Sequence, residues 1–148
     1  MQERWLALDV GEKRIGVAVS DPLGLIAQPV GLVERIGWGP DIKRIAAHAE
    51  AYQTRRILVG LPRNMDGSCG AQAEKTRAFA AKLAESGFEI TFWDERLSTR
   101  TAERALIEGG VRRAARKTLI DQTAAVVILQ AYLDANQNDK GDAFHGEQ

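Results

Sequence analysis

The chain has 148 residues with 20 basic and 20 acidic side chains and a formal net charge of zero, which excludes a surface coated in positive charge but not a local basic face. An apolar share of 45% and a single cysteine, Cys69, fit one folded domain without intrachain disulfides in a reducing compartment, and His48 and His145 lie too far from Cys69 in sequence for an ordinary Cys/His zinc site. No run of 18 or more apolar residues offers a membrane span, and the N-terminus enters the first strand at once without a signal peptide, so a cytoplasmic protein with no membrane partner is expected.

Trp5 to Val10 is apolar on both faces, which predicts a central strand, and residues 14–20 return as its hairpin partner. In that second strand Ile15, Val17 and Val19 face one way and Gly16, Ala18 and Ser20 the other; the small face predicts that another element packs close there. A third strand is expected over Ile26 to Arg35, with Pro29 marking an edge position. After a break at Gly37, Pro40 suits the first turn of a helix carrying Ile42, Ile45, Ala46, Ala49 and Tyr52 at helical spacing. Ile57 to Leu61 reads as a strand covered on both faces, as in a parallel sheet. Pro62 to Gly70 is a loop turning at Asp66-Gly67, and it leads into a helix that buries Ala73, Thr76, Phe79, Ala80 and Leu83 and ends at Ser86-Gly87. Glu89 to Trp93 is the fifth strand. Ser98 and Thr99 can cap a further helix stopping at Gly109-Gly110, and an apolar helix is expected from Leu119 to Leu133. Residues 1–138 then form the domain and 139–148 a frayed tail. The predicted class is α/β, a five-stranded mixed sheet of three antiparallel and then two parallel strands, flanked by helices.

Ligands of open α/β sheets bind beyond the carboxyl ends of the strands. Asp9 ends the first strand there, Leu61-Pro62 ends the fourth, and Asp94-Glu95 end the fifth. Strand alternation allows only one of Asp94 and Glu95 to join Asp9, and the pattern leaves the choice open. Asp9 can equally cap the hairpin turn or pair with Lys13 or Arg14. Asp121 is a fourth candidate, although Thr118 to Asp121 also reads as a capping box. Clustered carboxylates raise one another's pKa unless a cation is bound. Such a set suits Mg²⁺ or Mn²⁺, and two ions about 4 Å apart can clamp the attacking water and leaving oxygen of a phosphodiester. Lys13, Arg14, Arg96, Ser98, Arg100, Arg113, Arg116 and Lys117 are the candidate nucleic-acid contacts, set against the plainer reading of Arg96 to Lys117 as a solvated helix face. Ser68 and Gly70 suit either an anion or a helix cap, Trp38 and Trp93 either base stacking or core packing, and Cys69 carries no signal of function.

Four stretches resemble a known family. They are Leu8-Asp9-Val10-Gly11-Glu12-Lys13-Arg14-Ile15-Gly16-Val17-Ala18; Val59-Gly60-Leu61-Pro62 with Met65-Asp66-Gly67-Ser68; Asp94-Glu95-Arg96-Leu97-Ser98-Thr99; and Lys117 with Ile120-Asp121 and Ile128-Leu129-Gln130-Ala131-Tyr132-Leu133. Together, over roughly residues 4–134, they resemble the YqgF (RuvX) family of pre-16S rRNA nucleases related to Holliday-junction resolvases. The resemblance implies a ribonuclease H-like fold and Asp9, Glu95 and Asp121 as a catalytic triad holding Mg²⁺ or Mn²⁺, choosing Glu95 over Asp94. It further implies hydrolysis at the 5′ end of precursor 16S rRNA, with ribosome-assembly particles as partners. Branched DNA is the alternative substrate, and its symmetric cutting would require a homodimer. Nucleotide hydrolysis as in actin-like ATPases, which need two such lobes, and a non-catalytic nucleic-acid-binding factor are the competing readings.

Overall fold

Apolar residues build positions 5–34 into a three-stranded meander. In the computed structural model, which describes residues 4–62, 70–95 and 124–136, β1 (Trp5–Val10) runs antiparallel to β2 (Arg14–Ser20), and β2 antiparallel to β3 (Ala27–Glu34). β4 (Arg56–Leu61) and β5 (Glu89–Asp94) are parallel additions, giving the order β3-β2-β1-β4-β5 with β1 in the centre. Pro29 lies on the outer strand beside a register shift at Val17/Ala18, the kind of edge position in which a sheet tolerates proline. The tight β1–β2 turn requires a glycine, because a Cβ on Gly11 would sit 2.8 Å from the Arg14 carbonyl oxygen that its own N–H meets at 2.9 Å.

Helix α1 (Trp38–Ala51) starts two residues before Pro40, which falls in the first turn where no intrahelical N–H is needed. With α2 (Ala71–Glu85) it covers one face of the sheet. There Leu6, Leu8, Val10, Ile15, Val17 and Val19 pack on Ile45, Ala49, Phe79, Ala80 and Leu83. Among the described residues a further helix, α3 (residues 124–136), lies on the opposite face, where Ala7, Ala18, Ala27 and Leu58 meet Ala125, Ile128, Leu129 and Leu133. The small side of β2 thus receives α3, as the alternation predicts. β4 is buried from both sides, with Ile57 and Val59 facing α1 and α2 and Leu58 facing α3. Among the described residues no helix is long and apolar enough to cross a membrane. The loop at Asp66-Gly67, the helix expected after Ser98, the start of the helix expected at Leu119 and the 139–148 tail lie outside the described residues.

Two polar devices fix elements at opposite ends of the sheet, the first at the amino end of β1 and the second at its carboxyl end. In the first, Gln130 of α3 accepts the Ala27 N–H at 2.9 Å and donates to the Leu25 carbonyl at 3.0 Å, tying helix to outer strand. In the second, the Asp41 side chain, 1% exposed, takes Arg44 at 2.9 Å, Arg35 at 3.5 Å and the Ile36 N–H at 3.0 Å, while Arg35 also donates to the Gly11 carbonyl at 3.0 Å and lies over the Phe79 ring. Burial alone would raise the Asp41 carboxyl, but the hydrogen bonds from Ile36, Arg44, Gly37 and Arg35 outweigh it and hold the group below its ordinary 3.8.

Asp41→Ala is therefore expected to lower the unfolding free energy by about 3 kcal/mol at pH 7, the usual effect of stripping one partner from a buried ion pair. A depressed folded pKa stabilises above the unfolded value and is lost as pH falls through the folded one, so urea midpoints of wild type and variant should converge below pH 3.8. Equal midpoints at pH 7 would contradict this role.

Candidate active site

One row of residues crosses the sheet on the α3 face. Leu32 pairs with Gly16 and Gly16 with Asp9; Gly60 follows Val59, the partner of Leu8; and Gly60 pairs with Trp93. Asp9 thus stands between two glycines near the carboxyl end of β1. Glu95, the residue after β5, folds back over this row. A Cβ built on Gly60 would meet Glu95 Cγ and Oε1 at 2.9 Å each and Ile128 Cδ1 at 2.6 Å. On the other side, a Cβ on Gly16 would lie 3.7 Å from Asp9 Cβ and 3.6 Å from Ala125 Cβ. The acids and the first described turns of α3 therefore converge on one spot.

The Asp9 and Glu95 side chains are hydrogen-bonded to each other. Burial, then the hydrogen bond and charge of Asp9, then the charge of Asp94, push the Glu95 carboxyl from 4.5 up to about 9. At neutral pH Glu95 holds its proton and donates it to Asp9. Of the two acids ending β5, Glu95 is the one in contact with Asp9. Asp9 forms no ion pair with Lys13, exposed in the β1–β2 connection, or with Arg14, exposed at the start of β2. Trp93 is taken up in packing, edge-on to Tyr132 at 5.8 Å, while Trp38 on α1 is half-exposed under Lys82. Asp121, Arg96, Ser98, Arg100, Arg113, Arg116, Lys117 and Ser68 lie outside the described residues, as does Cys69. Among the described residues no group of three or more potential metal ligands forms.

The donor set suits a hard divalent cation. Two carboxyls are pressed together, one of them half-buried with its pKa pushed up, and an arriving positive charge counters the repulsion from Asp9 and Asp94 and favours its ionised form. The glycine beneath them leaves the room that their approach requires.

Three supporting residues escape a reading by pattern. Gln72 at the start of α2 donates to the Val10 carbonyl at 3.1 Å, Arg35 holds the Gly11 carbonyl, and Gly60 makes space for Glu95. Only Gly60 left a signal, as an isolated glycine inside an apolar strand, which marks close approach by another group.

The family model for RuvX, described as Holliday junction resolvase, matches residues 3–135. A protein of Clostridioides difficile (strain 630), named "Putative pre-16S rRNA nuclease", is 50% identical over 136 residues, covering 91% of this chain and 96% of the relative. One of the same name from Symbiobacterium thermophilum is 51% identical over 138 residues, covering 93% and 96%. Among solved structures, T. thermophilus RuvC in complex with Holliday junction substrate aligns with a TM-score of 0.54 at 15% identity over 92% of this chain and 96% of that one. A second Thermus thermophilus RuvC structure gives 0.51 at 13% identity over 91% and 96%. At these identities the likeness is one of fold, and the fold is ribonuclease H-like.

Proposed function

The chain belongs to the RuvX family, and from that premise we propose that it is a divalent-metal-dependent nuclease of the cytoplasm, hydrolysing phosphodiester bonds at the 5′ end of precursor 16S rRNA. The observation that carries the metal-dependent part is the meeting of Asp9 and Glu95 over Gly60. The relatives' name carries the substrate.

In this reading Asp9 and Glu95 hold the cation, Mg²⁺ or Mn²⁺. Asp121 joins them as a third acid, four residues ahead of Ala125, the α3 residue nearest Gly16. A bound divalent cation supplies Lewis-acid stabilisation of charge building on the phosphodiester and lowers the pKa of water. Asp9, on the central strand, fixes the position of the centre relative to the sheet. Glu95 gives up its proton as positive charge enters. Lys13 and Arg14, exposed beside the end of β1, bind phosphates of the substrate backbone, and Arg96, Ser98, Arg100, Arg113, Arg116 and Lys117 extend that contact. Holding the scissile phosphate at the acids in this way converts encounter into an oriented, effectively unimolecular reaction.

The test is cleavage by purified protein of an RNA bearing a precursor 16S 5′ end and of a four-way DNA junction, each with Mn²⁺, with Mg²⁺ and with chelator. The expected result is metal-dependent cutting of the RNA and none with chelator. Cutting of the junction in preference to the RNA would move the substrate to branched DNA, in line with the description of the family model, and would call for a dimer with paired sites. Binding without cleavage under every metal condition would replace the nuclease by a binding factor.

A further inference from the structure

Asp9 has a glycine on either side, and the two are not equivalent. Neither Gly16 nor Gly60 has a positive φ, so backbone conformation alone bars a side chain at neither position. At Gly16 a Cβ would make ordinary contacts of 3.6 to 3.9 Å with Ala125, Asp9 and Leu32. At Gly60 it would come within 2.6 Å of Ile128 Cδ1 and 2.9 Å of both Glu95 Cγ and Glu95 Oε1, closer than real Cβ atoms approach. The space above Gly60 is thus filled by the Glu95 side chain and by the tip of one α3 residue. Glu95 reaches Asp9 by crossing over β4 from β5, and the missing side chain at Gly60 leaves that path open.

We propose that Gly60 is a positioning residue: its lack of a side chain lets the Glu95 carboxyl lie over β4 against Asp9, and thereby sets the affinity of the acid pair for a divalent cation. The second half of this statement rests on the cation-site reading above, whereas the first half is purely steric. A methyl group at position 60 displaces both Ile128 and Glu95. The Ile128 clash is a packing matter, cured by removing its Cδ1 methyl. The Glu95 clash remains after that cure.

The two effects separate in a set of variants: Gly60→Ala, Ile128→Val, the double variant Gly60→Ala/Ile128→Val, and Gly16→Ala. Each is measured for thermal midpoint without metal and for Mn²⁺ affinity by calorimetry, and the double variant is crystallised metal-free. Gly16→Ala and Ile128→Val should bind Mn²⁺ like wild type. Gly60→Ala should lose both stability and affinity. The double variant should recover the midpoint of Ile128→Val yet bind Mn²⁺ at least about tenfold more weakly, the usual loss when a supporting neighbour of a ligand is disturbed. Its crystal structure should show Glu95 moved off Asp9. A double variant that keeps Glu95 on Asp9 overturns the proposal, as does one that binds Mn²⁺ within about twofold of Ile128→Val while wild type binds it through Glu95. If wild type and Glu95→Gln bind Mn²⁺ alike, the cation-site reading fails, and the crystal structure of the double variant still decides the steric role of Gly60.

Discussion

Asp9→Asn should lower RNA cleavage by at least about 1000-fold while leaving the protein folded, an effect worth about 4 kcal/mol of transition-state stabilisation. The change removes one of two touching carboxylates without altering shape, since the amide is isosteric and can still hydrogen-bond Glu95. Asp9 sits in the central strand with Gly16 and Ala125 close by, so no rearrangement of the backbone accompanies the loss of charge. At pH 8 Glu95 keeps its proton, so the variant exchanges a charge-assisted hydrogen bond from Glu95 for a neutral one. Its thermal midpoint at pH 8 without metal should therefore fall no more than a few degrees below that of wild type. RNA affinity measured with chelator should be unchanged, since the phosphate-binding candidates are untouched. The checks are single-turnover cleavage, calorimetric unfolding and filter binding. Cleavage within about tenfold of wild type would remove Asp9 from the chemistry.

The second large effect concerns pH. Glu95 holds its proton to about pH 9 in the folded protein, whereas in the unfolded chain it titrates near 4.5. Between these values the folded state binds more protons than the unfolded state, so stability falls as pH rises through that window. This is the reverse of the ordinary carboxylate, and of Asp41 in this same molecule, whose folded value is depressed. The thermal midpoint of metal-free wild type should decline from pH 5 to pH 9 relative to Glu95→Gln, whose amide has no proton to lose. A cation entering the site must displace the same proton, so Mn²⁺ affinity should climb by about tenfold per pH unit between roughly pH 6 and 9 and level off above. Parallel stability profiles for wild type and Glu95→Gln, or an Mn²⁺ affinity flat across this range, would contradict the arrangement.

Much of the scaffold was legible from residue order alone, because its signals are local. Strand alternation in residues 14–20 announced a small face, and α3 docks on it. The wholly apolar Ile57 to Leu61 foretold burial from both sides. Pro29 marked the edge. The acid pair was legible only in part, since alternation leaves Asp94 and Glu95 equivalent and the choice depends on how the chain turns after β5. The family resemblance names Glu95, and in the structure the Glu95 side chain lies over Gly60 beside Asp9. Asp41, Arg35 and Gln72 were illegible for a different reason. Each is a polar residue in an unremarkable helical or strand-end position, and its role depends on a partner brought near only by the tertiary fold, such as Gly11 for Arg35 or Val10 for Gln72.

The Gln130 amide has one more consequence. By accepting from Ala27 and donating to Leu25, it offers the outermost strand what a neighbouring peptide group would offer, a donor and an acceptor spaced two residues apart. An exposed sheet margin invites strand addition by another molecule, and natural proteins blunt such margins with side chains or bends. Here the plug is carried by the helix that backs the acid pair, while Pro29 guards the next stretch. The same side chain thus seats α3 and occupies hydrogen-bonding groups at the start of the outermost strand, and a substitution that removes it leaves the Ala27 N–H and the Leu25 carbonyl without that partner.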